Sequence, residues 1–290
     1  MPNSDTSLRS YLEFANQLAD VAAQKVMPFF RQNLDIEDKS TPGNSNDASA
    51  ISTDATGFSP VTVADRQAEQ AMRAMIGERF PQHAILGEEY GESAPTNEAL
   101  QTGAGQTGQW TWVLDPIDGT KSFITGMPTW GILIALNDGT RPVIGVMDQP
   151  VTGDRFTGGP DGAFIGETPQ KTRLATRSCA ALEDAVLFCT DAAMFEYPAD
   201  RAAFDRVASR VRLTRFGADC FAYCMLAAGL VDLVIEGDLK PYDIQALIPI
   251  VEGAGGVITS WDGGSAQHGG LVIAAGDPAL HDAARKLLLG

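Results

Sequence analysis

Histidine, cysteine and positive charge are all scarce in this chain, and each scarcity removes a class of function. The three histidines, His83, His268 and His281, are scattered and far from the carboxylate motifs described below. Without a convergent partner they read as structural or solvent-exposed residues rather than bases or ligands. The four cysteines, Cys179, Cys189, Cys220 and Cys224, include no C-x2-C pair, which argues against a structural zinc site. Cys220 and Cys224 fall in an apolar helical pattern and are expected as buried thiols. Lys and Arg total 21 against 37 Asp and Glu, a formal net charge of −16. Such a field repels nucleic-acid backbones and anionic membranes, so neither is an expected partner. No run approaches the roughly eighteen apolar residues of a membrane span. Met1–Ser10 is polar, without the apolar region of a secretory signal, so the expected location is a reducing cytoplasm. There is also no Gly-x-Ser-x-Gly elbow of a serine hydrolase.

What remains is an ordinary globular composition. Hydrophobic residues make up 44% and charged residues 20% of 290 residues, enough for a sizeable buried core. Thirty glycines and sixteen prolines are spread without a short repeat, which excludes collagen-like and low-complexity chains.

Apolar residues at Leu8, Tyr11, Leu12, Leu18, Val21, Ala22, Val26 and Phe29 recur at helical spacing. A second helix is expected over Thr62–Arg79. Strands are expected at Ala84–Leu86, Trp110–Leu114, Trp130–Leu136, Pro142–Met147 and Ala163–Ile165, with Asn137-Asp138-Gly139 as a hairpin turn. The polar stretches Lys39–Gly57 and Gly91–Gln109 read as flexible surface segments. The second half changes rhythm. Short strands at Ala185–Cys189, Arg212–Arg215, Leu230–Ile235 and Leu271–Ala275 alternate with helical patterns at Asp200–Arg210, Asp219–Ala228, Tyr242–Gly253 and Pro278–Leu288. The expectation is an α/β protein with an α+β N-terminal half. It forms one domain over 8–290, with an α+β subdomain of about 8–180, an α/β subdomain of about 181–290 and a flexible insertion at 40–58.

Two apparent nucleotide signatures fail on context. Gly103-Ala-Gly105-Gln-Thr-Gly108 matches G-x-G-x-x-G, but a polar loop precedes it where a dinucleotide site needs a strand. Gly119-Thr-Lys121-Ser122 resembles the end of a P-loop, yet Leu114 stands where its first glycine belongs.

The strongest signal is Trp112-Val-Leu-Asp115-Pro-Ile-Asp118-Gly-Thr120. A strand delivers Asp115 at its carboxyl end, Pro116 is expected to force a turn, and Asp118 returns a second carboxylate. Two buried carboxylates side by side are costly without a cation. The Ile117 carbonyl adds a neutral oxygen, and Gly119-Thr120 can open a helix whose free N–H groups suit phosphate. An all-oxygen donor set favours Mg²⁺ or Mn²⁺ over zinc. On their own, Glu88-Glu89 could be a solvated pair and Asp243 a helix cap.

Together, Gly87-Glu88-Glu89, Trp112–Thr120, Pro241-Tyr-Asp243 with Glu252-Gly-Ala-Gly-Gly256, and Pro60-Val-Thr62-Val-Ala-Asp65 resemble the signature segments of the inositol monophosphatase family, from about Leu8 to Leu288. The resemblance implies a layered α-β-α-β-α sandwich, a homodimer and a small phosphorylated substrate. It implies a first Mg²⁺ held by Glu88, Asp115 and the Ile117 carbonyl, and a second held by Asp115, Asp118 and Asp243. A third is possible near Asp65 and Thr120, which match the pair orienting the attacking water, and Mn²⁺ can substitute. Gly119 and Thr120 are the expected phosphate contacts, and Glu89 is expected to support the ligands from behind. Lys121-Ser-Phe-Ile, Asp148-Gln-Pro and Leu239-Lys-Pro-Tyr-Asp243 are similar to the histidinol-phosphatase branch, with inositol or sugar phosphates as alternative substrates and a non-catalytic metal-binding protein of the same fold as a third reading, against which the intact acids weigh. Specificity is then expected at Asp219 and Glu236, two carboxylates able to pair with the ammonium of histidinol.

Overall fold

The computed structural model describes residues 4–32, 36–38, 60–95, 109–166 and 169–290. The segment 40–58, Lys39 before it and the Gly103–Gly108 motif lie outside the described residues.

The two N-terminal helices form where the apolar periodicity places them. Helix α1 spans Ser4–Val26 and ends in a single 3-10 turn at Met27–Phe29, with Pro28 inside that turn. A short pair, β1 (Ile36–Asp38) and β2 (Pro60–Thr62), precedes α2 (Val63–Arg79). Ala15, Leu18, Ala19, Ala22, Met72 and Ile76 are fully buried on the facing stripes of α1 and α2. That apolar burial is the main stabilisation of such helices.

Next come β3 (Ala84–Gly87), β4 (Gly91–Ser93), β5 (Thr111–Asp118), α3 (Thr120–Thr125), β6 (Gly131–Asn137), β7 (Pro142–Gln149), β8 (Asp154–Gly159), β9 (Gly162–Ile165) and β10 (Thr172–Arg173). They make an eight-stranded sheet of order β10-β9-β8-β7-β6-β5-β3-β4, antiparallel except for the parallel pair β3 and β5. Three of these strands depart from expectation. β4 lies in the segment read as a flexible connection, and β8 and β10 were not expected at all. All three are short pieces completed by pairing with a neighbour, a non-local cause that local propensity does not register.

The second half supplies β11 (Val186–Cys189), α4 (Pro198–Ala208), β12 (Leu213–Phe216), α5 (Phe221–Ala227), β13 (Leu233–Leu239), α6 (Pro241–Ile244), α7 (Leu247–Gly253), β14 (Val257–Ser260), β15 (Gly270–Ala275) and α8 (Pro278–Leu289). Its five strands run β12-β11-β13-β15-β14, parallel across β12, β11 and β13 and antiparallel beyond. The helix expected over Tyr242–Gly253 is two helices. Pro249 has no N–H to offer the Gln245 carbonyl one turn earlier, so α6 stops and α7 restarts.

Packing stacks these parts into five layers. Helices α1 and α2 cover one face of the large sheet, α5 and α7 fill the space between the sheets, and α4 and α8 cover the outer face of the small sheet. Three apolar clusters fill the spaces between layers: Trp112, Trp130 and Phe123 between the first helices and the large sheet, Tyr223, Leu247 and Ile250 on both sides of the central helices, and Phe204 and Leu280 under the outermost helices. Each large apolar side chain so buried contributes about 1.5–3 kcal/mol.

Candidate active site

Four chain segments meet at the carboxyl ends of β3 and β5. Parallel pairing sets Gly87 opposite Leu114, so the next residues, Glu88 and Asp115, leave the sheet side by side. The Glu88 N–H bonds the Leu114 carbonyl at 3.2 Å, carrying the ladder one step past the strand.

Asp115 and Asp118 present a geometric problem that a bulge solves. Residues three apart on a regular strand point to opposite faces. In β5, Asp115 pairs with Leu133 and Asp118 with Gly131, so three steps on one strand match two on its partner. This bulge turns both carboxylates to one side. It also corrects the expectation that the strand ends at Asp115: Pro116, which cannot donate to a ladder, sits within the bulge and the strand continues to Asp118. The Ile117 N–H donates to Asp115 Oδ1 at 3.0 Å, and the Ile117 carbonyl accepts from Thr120 Oγ1 at 3.2 Å.

The other half of the chain brings Asp243, third residue of α6, against β5 and β6. It does act as a cap, accepting the Lys240 N–H on Oδ2 at 2.7 Å, and it also joins the cluster. One oxygen each from Asp115, Asp118 and Asp243 lies within 4.8 Å of the others. Asp65, buried in the first turn of α2, acts on Asp115 through its charge, as does Glu88.

Electrostatics shows what this cluster requires. Burial, then the charges of Glu88, Asp118, Asp243 and Asp65, hold the Asp115 carboxyl well above the usual carboxylate range. Burial, then Asp243 and Asp219, do the same to Asp118, and burial with Glu88 pushes Asp243 up to about 8. Among the described residues no ion pair reaches Asp115, Asp118 or Asp243; backbone N–H groups of Ile117, Cys220 and Lys240 donate to them, with the Cys220 thiol also on Asp118 and the Lys240 charge acting on Asp243. These do not offset burial and mutual repulsion, so the cluster fits a divalent cation, and its oxygen-only character fits a hard one.

Beside this cluster lie the two remaining predicted carboxylates, in different settings. Asp219 does not cap α5. Its backbone is left-handed at φ 48°, and its Oδ2 accepts from Ser122 Oγ at 2.6 Å and Thr129 Oγ1 at 3.0 Å. It lies so close to Gly119 that a Cβ there would come within 2.7 Å of the carboxyl carbon. Glu236 is 2% exposed; its Oε1 accepts from the Thr190 N–H at 3.0 Å and hydroxyl at 2.5 Å, and its Oε2 from Tyr223 OH at 2.9 Å. Burial raises both carboxyls despite these donors. The side chain of Glu89 is 3% exposed and pairs with Arg66 at 3.7 Å.

Of the residues set aside in the sequence, His83 stays outside the site, whereas Cys220 touches Asp118. His83 accepts from Trp112 Nε1 at 3.1 Å among stacked aromatic rings, and burial lowers its pKa to about 4. Cys220 and Cys224 are buried thiols.

One residue escaped the sequence reading. Glu69, fully buried on α2, accepts the Glu89 N–H on Oε2 at 2.7 Å and the Tyr90 N–H on Oε1 at 3.2 Å, and pairs with Arg73 at 2.7 Å. The available signal was Asp65, Glu69 and Arg73 at successive four-residue steps, one acidic-basic line on the buried face of an amphipathic helix.

A layered α/β sandwich with an all-carboxylate cluster between a bulged strand and a helix start defines a metal-dependent phosphatase of the sandwich class. The chain belongs to the inositol monophosphatase family, whose model matches residues 7–288. It is a phosphoric monoester hydrolase of that metal-dependent family, acting on small phosphorylated substrates. It is 40% identical to the bifunctional phosphatase IMPL2, chloroplastic, of Arabidopsis thaliana, over 98% of this chain and 77% of that one. It is 35% identical to the histidinol-phosphatase of Mycobacterium tuberculosis, over 78% and 83%. The fold matches an inositol monophosphatase from Zymomonas mobilis with a TM-score of 0.77 at 37% identity, covering 97% and 98% of the two chains. No helix among the described residues is long and apolar enough to cross a membrane.

Proposed function

We propose that this chain is a Mg²⁺-dependent phosphatase that hydrolyses histidinol phosphate to histidinol and phosphate, a step of histidine biosynthesis. The observation that carries the substrate is Asp219, a carboxylate set against Gly119 at the rim of the metal cluster. Ser122 and Thr129 both donate to Oδ2; on this reading Oδ1 receives the incoming cationic group. The ammonium of histidinol would gain a charge-assisted hydrogen bond there; an uncharged polyol would not. Glu236, tied by Thr190 and Tyr223, adds its negative charge behind Asp219.

Glu88, Asp115 and the Ile117 carbonyl hold the first cation in this reading, and Asp115, Asp118 and Asp243 the second. A bound divalent cation stabilises charge on phosphoryl oxygens and eases deprotonation of water. Asp65 and Thr120 orient the attacking water, and Gly119 and Thr120 receive the phosphate. Mn²⁺ is expected to substitute for Mg²⁺, with two or three ions per site. The histidinol-phosphatase relative from Mycobacterium tuberculosis supports the substrate. A second reading, inositol 1-phosphate, has the support of the inositol monophosphatase from Zymomonas mobilis.

Phosphate release from histidinol phosphate, inositol 1-phosphate, fructose 1,6-bisphosphate and an adenosine bisphosphate, with and without Mg²⁺, tests the proposal. We expect the highest kcat/KM on histidinol phosphate and none with chelator; a preference for inositol 1-phosphate would replace the first reading with the second. The division into subdomains near residue 180, the homodimer and a cytoplasmic location belong to the same proposal. Exposed Leu213 and Phe216 on the edge strand β12 support the dimer, and four free cysteines support a reducing compartment.

A further inference from the structure

Glu69 lies on α2, one turn after Asp65, and it is fully buried. Its two oxygens hold the chain immediately after Glu88: Oε2 takes the Glu89 N–H and Oε1 the Tyr90 N–H. Immediately before Glu88, Gly87 leaves room for that carboxylate, since a Cβ at Gly87 would stand 2.1 Å from Glu69 Oε1. Glu88 itself is tied on its other side by its N–H to Leu114, the neighbour of Asp115. Arg73 completes the arrangement. Its Nε pairs with Glu69, Nη1 donates to Ser93 Oγ at 2.9 Å and Nη2 donates to the Gly91 carbonyl. The turn between β3 and β4 is therefore gripped from one side by a single buried ion pair and from the other by the strand carrying Asp115.

A buried ion pair is a poor source of net stability compared with apolar packing of the same volume. A structural turn needs no carboxylate either, since water or a neutral amide could satisfy two N–H groups. What the carboxylate adds is direction: two charge-assisted bonds on consecutive N–H groups fix the orientation of the peptide plane that follows Glu88. Groups that orient a metal ligand from behind typically change metal affinity or activity by about 10–100-fold when removed.

We propose that Glu69, braced by Arg73, is a positioning residue that sets Mg²⁺ affinity by fixing where Glu88 points. The inference rests on the reading of Glu88 as a metal ligand. Its test is calorimetric titration of Mg²⁺ into the full-length wild type, Glu69→Gln and Gly87→Ala, each first checked for folding by circular dichroism. Glu69→Gln keeps the shape and one acceptor oxygen but removes the charge; Gly87→Ala displaces the carboxylate without changing charge. The expected result is a Kd for Mg²⁺ raised about 10–100-fold in Glu69→Gln, with the same direction in Gly87→Ala. The Mg²⁺ concentration for half-maximal phosphate release should move in parallel, with the KM for the ester unchanged at saturating Mg²⁺. A purely structural role predicts a lower melting temperature and wild-type Mg²⁺ titrations, and that result would overturn the inference. If Glu69→Gln does not fold, Gly87→Ala decides alone. Absence of Mg²⁺ binding by the wild type would instead sink the metal reading itself.

Discussion

Two groups of buried and half-buried carboxylates stand side by side in this molecule, and they are solvated in opposite ways. Asp115, Asp118 and Asp243 each accept one backbone N–H, face one another and are raised by burial and mutual repulsion. Asp219 and Glu236 are surrounded by the hydroxyls of Ser122, Thr129, Thr190 and Tyr223. The first group is left with a demand for positive charge; the second has much of its charge met by oriented dipoles. On the proposed reading a cation completes the first group and the second recognises the substrate, so that the same residue type would serve chemistry or selectivity according to its donors.

The largest expected effect separates the two groups outright. Asp115→Asn should lower phosphate release by more than about 100-fold, beyond the range for residues supporting a ligand from behind. The same variant should raise the melting temperature of the chelated protein, because one repelling charge is gone. A chelated melting temperature that falls would mean the cluster is not under repulsion.

Asp219→Asn should cost about tenfold in kcat/KM on histidinol phosphate, equivalent to ~1.4 kcal/mol, and much less on a neutral sugar phosphate. Equal losses on both substrates would erase the functional distinction between the groups.

The pH dependence sharpens the contrast further. Folding raises the Asp243 pKa from 3.8 to about 8, so its contribution to the cation-free fold is fully present below pH 3.8 and lost as pH rises through about 8. In chelator, melting should drop progressively between about pH 4 and about pH 8 and level off above it, by roughly 2–4 °C per kcal/mol lost, and saturating Mg²⁺ should abolish the drop. A flat profile in chelator would contradict the repulsion.

Tyr223→Phe is the mildest change. It removes the donor to Glu236 Oε2 and should lower stability by about 1–3 kcal/mol, the cost of an unsatisfied buried acceptor. Its Mg²⁺ titration should match the wild type, and an altered one would join the two groups into a single site.

Much of this site was legible before folding was considered. The Asp115–Thr120 segment carries its chemistry in consecutive residues, so the strand and the helix start fall within a window that local pattern describes; the bulge, where a strand end and a turn were expected, does not. Asp65, Glu88 and Asp243 were legible because their segments resemble those of a known family, not because spacing links them. Other features were not legible. Glu69 acts across twenty residues on two N–H groups that no side-chain code advertises. Asp219 turns away from its own helix towards Ser122 and Thr129, about ninety residues earlier.

What the sequence determined by itself was the alternation of elements and the identity of the acids, because periodicity and residue chemistry are local properties. Only the tertiary structure decided which acids share one space. Parallel pairing put Glu88 beside Asp115, the bulge turned Asp118 to the same side, and α6 brought Asp243 across from the other half of the chain. Charges interact through distance and burial, and both exist only once the chain is packed.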